Sequence, residues 1–232
     1  MDKLFKGRHF ERDLVILCVR WYLRYKPSYR DLVEMRAERG LTIAHTTIMR
    51  WVQRYVPEFE KRWNRYASKV GQSWGVDETY LKVQGQCVYL DRAVDRNGNT
   101  VDFRLSPKRD VAAAKAYSRK VLKTQGRAPI SITLDGYAAL HRAVREMPAE
   151  SAIWKDMKLR SSKYLNNMIE QDHRGIKSRT GPMLGFKDFD LAAITIAGIE
   201  LLHRMRKGQF KLGRLRHQGQ TAPAIWNGVL SA

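Results

Sequence analysis

Three carboxylates stand in settings where metal-dependent chemistry is possible. Asp77 lies within the first strand-like segment, Asp135 ends an apolar strand-like run at residues 130–134, and Glu170 lies within a predicted helix. Carboxylates on two strands and one nearby helix can converge, and such oxygen ligands suit magnesium while leaving positions open for water and phosphate. The chemistry would be in-line phosphoryl displacement assisted by two ions about 3.5–4 Å apart.

Two cations follow Glu170 on its predicted helix. Arg174 and Lys177 come four and seven residues later, so they share the face of the glutamate. They could hold DNA phosphate beside a metal-bound Glu170. The alternative is a surface pair of Glu170 with Arg174, which contributes only about 0.3–0.5 kcal/mol. Spacing alone does not decide between these readings.

The N-terminal segment has the layout of a helix-turn-helix. Helices are predicted over residues 11–25 and 29–39, and a third helix begins at His45 and ends before Pro57. Gly40 closes the second helix, and Ser28 is a good N-cap for it. A helix, a glycine-containing turn and a further helix are typical of this DNA-binding motif.

The third helix would be the recognition helix of that motif. Its predicted outward side chains are Thr47, Arg50 and Arg54, which suit contacts with base edges and phosphates. A plain three-helix bundle with a charged solvent face would give the same pattern.

The middle of the chain alternates strand and helix patterns. Strands are predicted over 74–83, 87–94, 101–105, 130–134 and 151–157, and helices over 111–123, 137–146, 166–179 and 189–205. The order is three strands, then helix, strand, helix, strand and helix, followed by the last helix. It predicts an α/β domain with a mixed sheet and flanking helices, and it resembles the layout of ribonuclease H-like domains.

Composition favours a polyanionic partner. The 232 residues include 43 Lys and Arg against 23 Asp and Glu, a formal net charge of +20, which is typical of nucleic-acid-binding proteins. The two cysteines cannot form a disulfide framework, and both are predicted to be buried. The N-terminus has no signal-peptide pattern and no apolar run is long enough to span a membrane, so we expect a cytoplasmic protein that uses no membrane.

Three blocks around the acidic residues resemble those of DDE transposases of insertion-sequence family six. They are residues 74–80 around Asp77, residues 133–137 around Asp135 and residues 164–179 around Glu170. Between Asp135 and Glu170 there are 34 residues, as in that family. Further blocks that are similar to the family lie at 5–10, 21–25, 28–32, 45–55, 198–200 and 206–209.

The resemblance implies a function and a division of the chain. It implies a helix-turn-helix DNA-binding domain (1–56), a linker (57–72), a ribonuclease H-like catalytic domain (73–205) and a basic C-terminal tail (206–232). Asp77, Asp135 and Glu170 would be the catalytic residues and would ligate two Mg²⁺ ions, with Mn²⁺ as a substitute. Thr47, Arg50, Arg54, Arg174 and Lys177 would contact DNA.

The expected partners and reaction also follow from the resemblance. The partners would be the terminal inverted repeats of the element, target DNA, and further copies of the chain in at least a dimer. The reaction would be magnesium-dependent strand cleavage and strand transfer. Two alternatives stay open: a non-catalytic regulator that uses residues 1–56 alone, and a structure-selective nuclease that cuts without joining ends.

Overall fold

In the computed structural model, the chain separates into two units, each with its own core. The first unit comprises Met1–Ser68 with Asp188–Ala232, and the second comprises Lys69–Lys187. The structure describes residues 4–6, 9–135, 138–162, 167–181, 185–213 and 221–231. The elements are α1 (Arg12–Arg24), α2 (Tyr29–Ala37), α3 (His45–Asn64), β1 (Ser73–Val83), β2 (Gln86–Asp95), β3 (Thr100–Ser106), α4 (Val111–Gln125), β4 (Ser131–Leu134), α5 (Ala138–Glu150), β5 (Lys158–Ser161), α6 (Asn167–Thr180), α7 (Phe189–Arg206) and α8 (Ala222–Ser231).

The first unit is helical, and its local signals match the predicted helix-turn-helix. Ser28 and Asp31 form a reciprocal capping box at the start of α2. Gly40, which follows α2, has a φ of 73°, a conformation that glycine adopts without strain. The helix α3 then begins at His45, as predicted.

The end predicted for the third helix at Pro57 is wrong. Pro57 lies inside α3, which continues to Asn64. A proline there removes one helical hydrogen bond and costs about 3 kcal/mol in an isolated helix. The apolar face, however, continues through Val56, Phe59 and Trp63, all of which are buried. Tertiary packing therefore outweighs the local cost, and much of the predicted 57–72 linker is helix.

The C-terminal part of the chain also differs from the prediction. The helix α7, predicted as part of the catalytic domain, packs against α1 and α3 and belongs to the first unit. Part of the predicted basic tail forms α8, whose Trp226, Val229 and Leu230 are buried. An apolar stripe that finds a partner surface folds as a helix even at the end of a basic segment. The other basic residues predicted there, at 214 and 216, lie outside the described residues.

The second unit is built on a five-stranded mixed sheet of order β3-β2-β1-β4-β5. The first three strands are antiparallel neighbours, whereas β4 runs parallel to β1 and β5 runs parallel to β4. This strand order and the element order confirm the predicted ribonuclease H-like α/β fold. The fifth strand was predicted too early: residues 152–154 form a short 3₁₀ turn, and β5 follows at 158–161.

Two tight turns fix the register of the antiparallel strands. Gln84 and Gly85 join β1 to β2 with φ values of 51° and 76°, as in a type I′ hairpin. The second turn uses the Asp95 carboxylate, which accepts hydrogen bonds from the backbone N–H groups of Asn97 and Asn99. The Asp95 carboxylate also accepts a hydrogen bond from the Gly71 N–H at 2.7 Å. This bond links the turn to the segment that precedes β1.

The core of the second unit lies on one face of the sheet. Trp74 and Val76 of β1, and Ile132 and Leu134 of β4, belong to a buried cluster with residues of α4 and α5. Because side chains alternate along a strand, Gly75 and Asp77 point to the opposite face. That face carries the candidate site.

Candidate active site

The sheet register brings Asp77 and Asp135 to the same level on adjacent strands. Val76 of β1 is paired with Leu134 of the parallel strand β4. Asp77 follows Val76, and Asp135 follows Leu134. The side chains of Val76 and Leu134 both lie in the core. Alternation therefore turns both carboxylates to the face away from that core.

The environment of Asp77 shows that the two carboxyl groups meet. Asp77 is 8% exposed. Burial raises its pKa to about 7; a hydrogen bond with the backbone at Glu78 opposes this shift, while the negative charge and the side-chain hydrogen bond of Asp135 and the charge of Glu170 add to it. In the absence of a cation, Asp77 therefore holds a proton at a pH where isolated aspartates have lost theirs.

Helix α6 covers this face because a glycine lets it approach. A Cβ built on Gly75 would lie 3.2 Å from Cδ1 of Ile169, so any side chain there would push on the helix. The next residue on α6 is Glu170. Its side chain is 51% exposed and accepts a hydrogen bond from Nη2 of Arg174 at 3.4 Å. The pair of Glu170 with Arg174, weighed as a plain surface interaction, is thus present in the structure.

The acidic residues supply a suitable donor set for a divalent cation. Among the residues that the structure describes, no three His, Cys, Asp or Glu side chains lie close enough to hold one ion. Asp77 and Asp135 are in contact, however, and the charge of Glu170 acts on Asp77. A buried carboxyl group with a raised pKa gains when a hard cation replaces its proton. Asp77, with Asp135 beside it, therefore fits a divalent cation as two of the three predicted ligands.

His173 is a neighbour of the site whose burial the sequence pattern did not reveal. Its Nδ1 lies 3.6 Å from Oδ2 of Asp77. Burial, together with the positive charges of Arg92 and Lys177, lowers the pKa of His173 to about 3. The imidazole is therefore neutral beside Asp77. Its position three residues after Glu170, on the same helix face, was the only sequence signal.

The predicted cations on α6 remain at the surface. The Arg174 side chain is 74% exposed. Nζ of Lys177 lies 4.8 Å from the centre of the Tyr80 ring, itself an exposed aromatic side chain. These two cations are available to an anionic ligand near the acidic site.

The three residues predicted on the outward face of α3 lie close together in the structure. Thr47, Arg50 and Arg54 line one surface depression of about 500 Å³. Its inner wall includes Trp51 and Tyr55, which are buried in the helical core. This outward face of α3 is therefore backed by buried aromatic side chains.

The burial of three further residues depends on tertiary packing. Asp102 of β3 is buried and forms an ion pair with Lys120 of α4. Cys87 was expected to be buried but is exposed in β2. Glu200 of α7 is fully buried, with Nδ1 of His203 4.0 Å away. In each case the packing of other elements decides burial.

A family profile described as a DDE domain, of the IS240 transposase type, matches residues 71–209. Over 208 residues, 88% of both chains, the sequence is 36% identical to the transposase for the insertion sequence-like element IS431mec of Staphylococcus aureus strain Mu50. The same figures hold for the transposase for the insertion sequence element IS257 in transposon Tn4003 of S. aureus.

Among solved structures, the catalytic core domain of HTLV-2 integrase is 16% identical and has a TM-score of 0.44; the match covers 56% of this chain and 84% of that one. The catalytic core domain of BIV integrase is 15% identical, with a TM-score of 0.42 and coverage of 56% and 82%.

The profile and the relatives define a polynucleotidyl transferase of the DDE class. The chain belongs to the DDE transposase family of insertion sequences. As a transposase it acts on DNA. No helix in the described parts of the chain is long and apolar enough to cross a membrane.

Proposed function

We propose that this chain binds the terminal inverted repeats of its own insertion sequence and catalyses strand cleavage and strand transfer at Asp77, Asp135 and Glu170. The observation that carries the proposal is the contact between the Asp77 and Asp135 carboxyl groups beneath α6. A buried carboxyl group with a second carboxyl group beside it has a raised affinity for a positive charge, as a site for a catalytic cation requires.

Asp77 and Asp135 would hold two Mg²⁺ ions, with Mn²⁺ as a substitute, and Glu170 would complete the ligand set. When bound, such ions activate the attacking oxygen and stabilise the leaving oxygen of an in-line displacement. The Glu170 side chain is half-exposed and its bond to Arg174 is long, so it is free to turn toward the aspartates. His173 would support Asp77 from within the protein, since its neutral ring lies beside that carboxylate.

The reaction consists of two phosphoryl transfers of the same kind. In the first, a water oxygen bonds to phosphorus at the end of the element, and the bond to the departing 3′ oxygen breaks. In the second, that 3′-hydroxyl attacks a phosphodiester of the target strand, and a target 3′ oxygen departs. Arg174 and Lys177 would hold the phosphates near the acidic site.

Recognition of the ends would use the outward face of α3. Thr47, Arg50 and Arg54 share one depression on that face, and arginine pairs well with phosphates and with guanine edges. Because an element has two ends that must be joined together, we propose that the active species is at least a dimer.

The test is an assay with end-bearing duplex DNA, Mg²⁺ and the full chain. Wild-type protein should produce both nicked ends and joined products. Asp77→Ala should abolish both while leaving the affinity for the end duplex within about twofold; Asp156→Ala, at an exposed site on the same unit, is the matched control. Unchanged cleavage by Asp77→Ala would refute the acidic site.

Recognition is tested separately with the double variant Arg50→Met and Arg54→Met. Removal of residues 1–56 is not suitable, because it would cut α3 in two. The double variant should weaken binding to the end duplex and reduce its salt dependence, since each lost phosphate contact lowers the slope by about 1. Cleavage without joining would indicate the structure-selective nuclease, and binding without either product would indicate a regulator.

A further inference from the structure

The first unit contains an aromatic cavity that the proposed function does not use. Its volume is about 510 Å³, within the range of roughly 300–1,000 Å³ that is typical of ligand sites. Trp21 and Tyr25 of α1, Trp63 of α3 and Trp226 of α8 line it. All of its lining residues belong to the first unit, whereas the acidic residues belong to the second.

Three arginines give this cavity a positive charge. Arg20, Arg24 and Arg206 line it, and no Asp or Glu from the described part of the chain does. Arg20 is half-buried, and its guanidinium lies 5.4 Å from the centre of the Trp226 ring; within the described residues no carboxylate forms an ion pair with it. Cations that are withdrawn from water usually have an anionic partner in the folded protein. The cavity is therefore complementary to an anion supplied from outside.

Two of the aromatic rings that line the cavity also contact other buried side chains. The guanidinium of Arg36, which is buried, lies 4.8 Å from the centre of the Trp21 ring. Trp226 packs against Trp63 with ring centres 5.3 Å apart. Tyr25, in contrast, is 55% exposed at the edge of the cavity. Fixed rings with one exposed aromatic at the mouth offer surfaces on which a planar group can stack.

We propose that this cavity binds an unpaired nucleotide of the DNA on which the transposase acts. A nucleotide combines a planar base with a phosphate, and the cavity combines stacking surfaces, Trp21 and Tyr25, with the positive charge of Arg20. Single-stranded nucleic acids are commonly bound by such sets of aromatic residues and cations. The inference rests on the proposed function in one respect, namely that DNA is the ligand.

The probe is a short 5′-fluorescein-labelled oligothymidylate, compared by fluorescence anisotropy with an end-bearing duplex, both without divalent metal. Arg20→Met removes the charge and keeps the length of the side chain. Tyr25→Ala removes a mostly exposed ring, so its fold should be retained. Each should bind the oligothymidylate about tenfold more weakly and the duplex within about twofold of wild type. Arg39→Met, at an exposed arginine of the same unit outside the cavity, is the matched control.

Several results would overturn the inference. Wild-type affinity for the oligothymidylate in both variants is one. A second is a change of oligomeric state in Arg20→Met, by sedimentation, with unchanged affinity for nucleic acid, which would assign the cavity to a second copy of the chain. Wild-type protein that binds the end duplex but not the oligothymidylate overturns this inference alone, whereas protein that binds neither also overturns the proposed function.

Discussion

Arg92 and Asp172 form a buried ion pair between β2 and α6, with Nη1 of the arginine 3.1 Å from Oδ2 of the aspartate. Arg92 is fully buried and stands opposite Asp77 in the register of β1 and β2. Asp172 comes two residues after Glu170 on α6. One interaction therefore ties the helix that carries Glu170 to the strand beside Asp77.

Breaking this ion pair should lower the free energy of unfolding. Asp172→Asn leaves the charge of Arg92 in the interior with a weaker partner, and the loss of one member of a buried pair typically costs about 3–5 kcal/mol. Urea unfolding followed by circular dichroism would measure it. Arg174→Ala breaks the exposed pair on the same helix and should cost no more than about 1 kcal/mol. Equal losses in the two variants would contradict a structural role for the buried pair.

Residues that are close in sequence were sufficient to predict most elements of the second unit. The strict alternation around β3, the glycine turns and the Asp110 N-cap of α4 are all set by residues close in sequence. The capping box of α2 is of the same kind. Such signals specify where an element begins and ends, and they do not depend on what packs against it.

Features that depend on long-range packing could not be predicted from the sequence. The continuation of α3 through Pro57, and the burial of Asp102 and Glu200, depend on elements distant in the chain. For the candidate site, the residue types of Asp77 and Asp135 were suggestive, but their contact depends on the pairing of β1 with β4. Arg92, His173 and Asp172 form the surroundings of the site through contacts that no spacing rule reveals.

Asp91 should contribute a loss of stability as pH rises from about 4 to about 7. Burial raises the pKa of this carboxyl to about 7; the charge of Glu78 adds to the shift and Arg104 opposes it. An unfolded aspartate loses its proton near about 3.9. Over this range the folded state therefore binds more protons, and a rise in pH favours unfolding.

Asp91→Asn should remove that part of the pH dependence. Its melting temperature should decline less than that of the wild type between pH 4 and pH 7, as measured by differential scanning calorimetry without divalent metal. Asp156→Asn, at an exposed position, should follow the wild-type curve. Parallel curves for wild type and Asp91→Asn would show that this carboxyl titrates normally.

Divalent metal should stabilise the folded chain through the paired aspartates. A ligand that binds only the folded state contributes about 2.7 kcal/mol when its concentration is about a hundredfold above Kd. We expect Mg²⁺ or Mn²⁺ to raise the melting temperature of the wild type and to have little effect on Asp135→Asn. An equal increase in both proteins would place the bound ion elsewhere.

Two glycines should respond in opposite ways to the same substitution. A Cβ on Gly198 of α7 would lie 2.7 Å from Cδ2 of Leu23 and 3.1 Å from Cγ1 of Val56, so Gly198→Ala should overpack the helical core and cost about 1–3 kcal/mol. Gly175 of α6 has nothing within 4 Å of its Cβ position, so Gly175→Ala should gain about 0.5–1 kcal/mol through helix propensity. Urea unfolding of both variants measures the difference.

If Gly198→Ala is destabilised by contact with Leu23, adding Leu23→Ala to it should cost less than Leu23→Ala costs in the wild type; additive losses would show that the two sites do not touch.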